Sequence, residues 1–89
     1  MKLSEEKRKK IAEQVLAYLF DEFPNTTHTA EIARELIRDE EFIKSMLQDL
    51  EVKGLVISIK EDSKKRFKWR LSQKTLLAYK SLNNNQFRI

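Results

Sequence analysis

The stretch that decides the fold is MLQDLEVKGLVISIKEDSKKRFKWRLS, residues Met46 to Ser72. Its first part places apolar residues at helical spacing and ends on Gly54, which suits a helix C-terminus because glycine accepts a positive φ. From Leu55 onward the apolar residues recur at every second position, as they do along a strand with one buried face. The stretch therefore predicts a helix that closes directly into a strand.

Two strands and a turn account for the rest of this stretch. The polar segment EDSKK supplies turn residues between LVISIK and RFKWRL, so the strands are predicted to form a β-hairpin. On the first strand we expect an inward face of Leu55, Ile57 and Ile59. The returning strand has an apolar face of Phe67, Trp69 and Leu71 and a cationic face of Arg66, Lys68 and Arg70. Exposed aromatic rings could stack on bases. However, Phe67 and Trp69 lie on the face of the strand opposite to the cations, and this position favours their burial.

A long first helix is predicted over SEEKRKKIAEQVLAYLFDEFP. Ser4 is a suitable N-cap, acidic residues occupy the first turn, and Pro24 ends the pattern. The inward stripe consists of Ile11, Val15, Leu19 and Phe23. Leu16 and Phe20 form a second apolar row beside that stripe, which either completes the core or meets a second subunit.

Two short helices are predicted between this helix and the hairpin. TAEIARELI forms the first, capped by Thr27 or Thr29, with inward residues Ala33, Leu36 and Ile37. His28, beside the cap, is expected to be solvent-exposed and to bind no ligand. DEEFIKSMLQDLEVKG forms the second, with inward residues Ile43, Leu47 (or Met46) and Leu50. The tight joint between them makes the pair a helix-turn-helix candidate.

Ser72 is predicted to cap a last helix, QKTLLAYKSL, whose apolar positions are Leu76, Tyr79 and Leu82. The remaining NNNQFRI has no hydrophobic period and is predicted to fray. We therefore expect one domain over residues 1–82 and a flexible C-terminal tail over residues 83–89. The predicted fold class is α+β and mainly helical, with three helices, a two-stranded β-hairpin and a C-terminal helix.

Composition excludes several classes of function. The 89 residues include no Cys, one His and one Gly, which excludes disulfides, thiolate or His-cluster metal sites, Gly-rich phosphate loops and Cys–His catalytic sets. The carboxylates are scattered along predicted helix surfaces rather than paired around an apolar pocket. We expect no enzymatic activity, and we infer no cofactor, metal or small-molecule ligand.

The longest uninterrupted apolar run is VLAYLF, Val15 to Phe20, which is too short to span a membrane. The start of the chain also lacks the apolar region of a signal peptide. The protein is therefore expected to be soluble and cytoplasmic, without membrane contact. Abundant Lys and Glu, with no Cys, are typical of proteins from heat-adapted organisms. An archaeal source is therefore expected.

Positive charge is concentrated towards the C-terminus. Residues 1–50 hold 8 Lys and Arg against 11 Asp and Glu, whereas residues 51–89 hold 10 against 3. These local balances of −3 and +7 lie behind a net charge of only +4. Such asymmetry predicts one face of the molecule that is suited to a polyanion.

The order helix, helix-turn-helix, two-stranded hairpin, helix resembles the winged helix-turn-helix domain of small bacterial and archaeal transcriptional regulators. The resemblance covers roughly Glu5 to Leu82. It is most specific in the run Leu50-x-x-x-Gly54-Leu55-Val56, which closes a helix into a strand and is followed by a charged turn and a Trp-bearing strand. Double-stranded DNA is the partner that this resemblance implies.

The family also implies where DNA would be contacted. Its second helix of the pair enters the major groove with its N-terminal half, and its hairpin, the wing, reaches phosphates or the adjacent minor groove. The implied DNA-binding residues are Lys44, Ser45 and Gln48 on the helix and Ser63, Lys64, Lys65, Arg66 and Lys68 on the wing. The wing cations also fit a strand edge that is kept soluble by its charge.

The apolar rows of the first and last helices favour a homodimer, because a two-fold protein presents two wings to one duplex. The predicted interface consists of Leu16, Phe20, Leu76, Tyr79 and Leu82.

The second helix of the pair departs from the family pattern. Residues 39–53 hold five acidic residues against two lysines, and Asp39, Glu40 and Glu41 stand where polar or basic residues usually read DNA. Carboxylates are favourable at a helix N-terminus, but they repel phosphates. A winged-helix module that binds another protein within a larger assembly is therefore the alternative to a DNA-binding regulator.

Overall fold

A computed structural model describes the backbone of residues 4–60 and 67–87 and the side chains of residues 4–60 and 67–81. The elements are α1 (Glu5–Glu22), β1 (Thr27–His28), α2 (Thr29–Leu36), α3 (Glu40–Val52), β2 (Val56–Lys60), β3 (Phe67–Leu71) and α4 (Gln73–Phe87). This order confirms the predicted fold class and adds the short strand β1. Within these described ranges, none of the helices is long and apolar enough to cross a membrane.

The first helix begins and ends where its sequence predicts. The Ser4 Oγ accepts a hydrogen bond from the backbone N–H of Lys7 at 3.2 Å, and the helix stops one residue before Phe23 and Pro24. Its buried residues are Ile11, Val15 and Leu19. This stripe belongs to the hydrophobic core, together with buried residues of α2, α3, the sheet and α4.

Two details of α2 differ from the prediction. Its N-cap is His28 and not Thr27 or Thr29, because Thr27 is drawn into the sheet opposite Trp69. The helix also ends at Leu36, so that Ile37 adopts the left-handed conformation at φ 53° and points out of the protein, 88 % exposed. The predicted core position is therefore wrong for Ile37, and Ile32 and Ala33 are the buried residues of α2.

The helix α3 closes into β2 through a left-handed glycine, as predicted. Gly54 has φ 79°, and the next residue, Leu55, donates its backbone N–H to the carbonyl oxygen of Leu50 at 2.9 Å. The C=O of Leu55 accepts from the backbone N–H of Ser72 at 3.0 Å, so this residue belongs to the junction rather than to the strand.

As a result, β2 starts one residue later than predicted, and the core-facing and outward-facing positions of the strand are exchanged. Val56 is buried opposite Leu71, whereas Ile57 and Ile59 pair with the cations of β3 on the outer face. The expected inward direction is therefore wrong for Ile57 and Ile59, because a shift of one residue turns every side chain of a strand to the other face. Leu55, in the junction, is partly buried against the core.

The sheet has the order β1-β3-β2 and is antiparallel throughout. At its centre Trp69 is 2 % exposed, and its Nε1–H donates to the Thr29 Oγ1 at 2.8 Å. The half-buried ring of Phe67 lies 6.2 Å from it between centroids. The predicted burial of Trp69 is confirmed, which takes this ring out of reach of a stacked base.

The last helix starts beside the sheet and contributes Leu76 to the core. Ser72 precedes it, and its hydroxyl lies 2.9 Å from that of Thr75. The helix continues to Phe87, past the predicted end of the domain at Leu82. The division into a domain of residues 1–82 and a tail of residues 83–89 stays a prediction.

Candidate nucleic-acid interface

The exposed face of α3 carries the predicted base-reading residues. Ile43, Met46, Leu47 and Leu50 are buried on one side of the helix. Lys44, Ser45 and Gln48 are exposed on the other side, and Gln48 follows Lys44 and Ser45 by four and three positions, so the three form one strip along the helix. The structure therefore brings these three side chains together on one solvent-facing surface.

The first turn of α3 presents the acidic residues that the sequence places there. The Asp39 Oδ2 accepts from the backbone N–H of Phe42 at 3.1 Å and caps the helix. Glu40 and Glu41 follow it and are exposed. The helix dipole stabilises these carboxylates, and they add negative charge at the end of α3 that leads into the exposed strip.

The first helix α1 holds α3 in place through Arg8. Its Nη2 lies 2.7 Å from the Asp49 Oδ2, and its guanidinium carbon lies 5.7 Å from the ring centroid of Phe42. Both pair members are partly exposed, so this link orients the helix more than it stabilises the fold.

Sequence reasoning missed two arginines that precede α3. Arg34 and Arg38, at the end of α2 and in the turn before α3, are exposed. Arg34 lies in the predicted helix and Arg38 lies four positions later, in the joint after it, and this pair of cations was the signal that could have identified them. Two exposed cations therefore precede the carboxylates of the first turn of α3 along the chain.

The wing is described in part. Ser63, Lys64, Lys65 and Arg66 lie outside the described residues. Of the predicted wing contacts, Lys68 is therefore the one that the structure places: it is half-buried in β3, between His28 of β1 and Ile59 of β2. Arg70 pairs with Ile57 on the same outer face, so the sheet presents a mixed cationic and apolar surface.

His28 takes part in the cap of α2. Its backbone N–H donates to the Glu31 Oε1 at 3.1 Å, and this bond holds the pKa of the Glu31 carboxyl below its ordinary value. The Nδ1 of His28 lies 3.5 Å from the same oxygen, and the ring is half-buried rather than solvent-exposed as expected. The residue thus has a structural role at the start of the helix-turn-helix.

The predicted dimer residues are distributed between core and surface. Leu76 is buried, and the rings of Phe20 and Tyr79 lie 5.4 Å apart between centroids, which joins α1 to α4. Leu16 lines an open groove of about 660 Å³ between α1 and α3. The side chain of Leu82 lies outside the described residues.

Comparison with known proteins gives structural matches without sequence matches. No protein-family model matches the chain, and no curated protein sequence matches it significantly. The DNA complex of MepR from S. aureus superposes with a TM-score of 0.72 at 20% identity, over 93% of this chain and 72% of that one. A ZitR mutant of Lactococcus lactis in apo form superposes with a TM-score of 0.71 at 20% identity, over 91% of this chain and 60% of that one.

A smaller protein also matches. The apo-Zalpha of zebrafish PKZ gives a TM-score of 0.67 at 22% identity, over 75% of this chain and 98% of that one. By contrast, this chain spans only about half of a MepR mutant from a clinical isolate, 53% of its length. The likeness at these identities is one of fold. This chain has the winged helix-turn-helix fold, with α2 and α3 as its helix-turn-helix and β2 and β3 as its wing.

Proposed function

We propose that this protein binds double-stranded DNA and acts as a transcriptional regulator in the cytoplasm, without enzymatic activity. The observation that carries the proposal is the exposed strip of Lys44, Ser45 and Gln48 on α3, which the helix-turn-helix presents on the polar side of the helix. The local charge of +7 over residues 51–89 adds the sign that a phosphate backbone requires. The solved DNA complex of MepR, which shares the fold, supports the same assignment.

The contacts divide into base reading and phosphate binding. With the N-terminal half of α3 in the major groove, Lys44 and Gln48 have the donors and acceptors that distinguish base edges, and Ser45 bonds to either kind of edge. The wing residues Ser63, Lys64, Lys65, Arg66 and Lys68 would meet phosphates or the adjacent minor groove. Arg34 and Arg38 add two exposed cations at the turn into α3.

The acidic first turn of α3 favours a second candidate function. Asp39, Glu40 and Glu41 would stand close to phosphates in the proposed complex, where like charges repel. A winged-helix module that binds a basic protein surface would instead gain from these carboxylates. This protein-binding module is the function that remains if no duplex is bound.

The proposed assembly is a homodimer through α1 and α4. The interface would use the surfaces around Leu16, Phe20, Tyr79 and Leu82, with Leu76 packed beneath them. We expect light scattering at high micromolar concentration to report twice the 10.6 kDa of the chain. Leu16→Glu should shift the mass towards the monomer, because a carboxylate in an apolar interface is desolvated without a partner. A wild-type monomer at that concentration would contradict this assembly.

The proposed function is tested by titrating salt against DNA binding. For the wild-type protein on unrelated fluorescent duplexes, the logarithm of affinity should fall with the logarithm of salt with a slope of about −4 to −5, because two wings would neutralise roughly four to six phosphates. Fluorescence anisotropy between about 50 and 200 mM salt covers the range in which such a slope is measurable. If the protein bound no duplex even at the lowest salt, the protein-binding module would replace the regulator.

A further inference from the structure

Ile37 combines two unfavourable features in the turn between α2 and α3. Its φ of 53° is left-handed, a conformation that branched side chains rarely adopt. Its side chain is also 88 % exposed, although isoleucine is among the residues most often buried. A glycine or an asparagine would remove both costs at this position, so the fold does not require isoleucine here.

The turn itself does require the left-handed conformation. The backbone N–H of Arg38 donates to the carbonyl oxygen of Ala33 at 2.9 Å, and that of Ile37 donates to Arg34 at 3.2 Å. These bonds end α2 abruptly and let α3 begin at the Asp39 cap, two residues after Ile37. The side chain is therefore held at the tip of the helix-turn-helix by a constrained backbone.

The surroundings of Ile37 restrict what could cover it. Within the described residues, the other large exposed apolar side chains are Val52, Ile59 and Leu77, and none of them belongs to this turn. Protein interfaces use contiguous apolar patches, whereas Ile37 is a single exposed apolar side chain that is flanked in sequence by the exposed cations Arg34 and Arg38. A thymine C5-methyl group in the major groove, flanked by phosphates, has the matching arrangement of apolar and anionic groups.

We infer that Ile37 is a specificity residue that contacts the C5-methyl group of a thymine at the position where the N-terminus of α3 enters the major groove. This inference rests on the proposed function. Arg34 and Arg38 would lie towards the phosphates on either side, while the carboxylate of Asp39 remains engaged by the backbone N–H of Phe42. The turn would then contribute to base selection in addition to the strip on α3.

The test begins with a preferred duplex, selected by the wild-type protein from a random library, in which thymines are replaced one at a time by deoxyuridine. This replacement removes only the C5-methyl group. Wild-type affinity should fall about three- to tenfold at one or two positions, the range expected for one buried methyl group and its neighbours. Ile37→Ala and Ile37→Gly should bind the thymine duplex about three- to tenfold more weakly and should not distinguish deoxyuridine from thymine at those positions.

Two substitutions distinguish the effect of the Ile37 side chain on DNA affinity from the effect of its backbone strain on stability. Ile37→Gly should raise the Tm by a few degrees, because the relief of the left-handed strain exceeds the extra entropy of the unfolded chain. Ile37→Ala keeps a Cβ at positive φ and should raise the Tm less, yet it should lose the same affinity. The matched control is Val52→Ala, an 87 % exposed apolar residue at the other end of α3, which should leave affinity unchanged.

The outcomes are distinguishable. If the wild type binds duplexes with the expected salt slope but both Ile37 variants bind as tightly as wild type, the inference on Ile37 is overturned and the regulator stands. If the variants lose affinity but no deoxyuridine position affects the wild type, the contact with a thymine methyl group is wrong. If the wild type binds no duplex, both the inference and the proposed function fail.

Discussion

Leu47→Ala is expected to lower the free energy of unfolding by about 3 kcal/mol and the Tm by roughly 10–20 °C. Leu47 is fully buried at the centre of α3, where its side chain belongs to the cluster that joins α1, α2, α3 and the sheet. Truncation removes apolar contact and leaves a cavity, because the neighbouring helices are held by their own caps and relax only in part. Urea and thermal unfolding, followed by circular dichroism, measure the loss.

A loss of this size is large for a chain of 89 residues, whose total stability is expected to be about 4–13 kcal/mol. The control is again Val52→Ala, on the same helix but exposed, which should change the stability by less than about 0.5 kcal/mol. If Leu47→Ala cost no more than this control, the side chain could not be part of a closely packed core.

Local signals predicted most of the fold. Ser4 as a cap, Pro24 as a terminator and Gly54 at the end of α3 each act within one turn of the chain, so the sequence alone reveals them. The alternation of residues around Trp69 was also sufficient to predict its burial. The cations occupy one face of the strand, so the other face is left for the core. These features depend on neighbours in sequence and on no distant partner.

Two of the errors arose where a distant contact decided the local structure, and a third arose at the turn between two helices. Thr27 is drawn into the sheet by Trp69, which lies 42 positions later, so β1 could not be predicted from the polar loop alone. Leu55 is held in the junction by Ser72, and this shifts the parity of β2. Ile37 fitted the helical period, yet the turn into α3 required the chain to leave the helix at that residue.

The candidate site divides in the same way. Lys44, Ser45 and Gln48 were predicted to share a face because helical spacing defines it, and the structure places them together. Arg34 lies on α2 and Arg38 lies in the turn after it, so neither shares the helical spacing of α3. The helical spacing that predicted the strip on α3 therefore could not include these two arginines.

Replacing Lys64, Lys65 and Arg66 together by alanine is expected to weaken binding to every duplex by about 100- to 1,000-fold at about 0.1 M salt. Each cation that meets a phosphate releases counterions, and both wings of the dimer lose three of their four cations, so about three to four phosphate contacts would be lost and the log–log salt slope should become shallower by about 3 units. Base discrimination should change little, because phosphate contacts carry no direct sequence information. Anisotropy titrations on two unrelated duplexes, at several salt concentrations, measure the affinity and the slope.

The control for this wing variant removes the same charge elsewhere. Lys10, Lys53 and Lys74 are exposed, and none of them lies in the wing or at the turn into α3. Their triple alanine variant has the same net charge as the wing variant. If the wing cations act by contacting phosphates and not through the net charge of the protein, this control should lose much less affinity than the wing variant. Equal losses in the two variants would mean that attraction is long-range and that the wing has no special role.

The acidic first turn of α3 allows the opposite change of charge. Glu40→Lys with Glu41→Lys should tighten binding to all duplexes and steepen the salt slope, since it replaces two repelled groups by two attracted ones. The same variant should weaken a basic protein partner, for which the carboxylates are the attractive groups. If the lysines left DNA affinity unchanged while the wing variant lost it, the N-terminus of α3 would lie away from the duplex, and the wing alone would carry the binding.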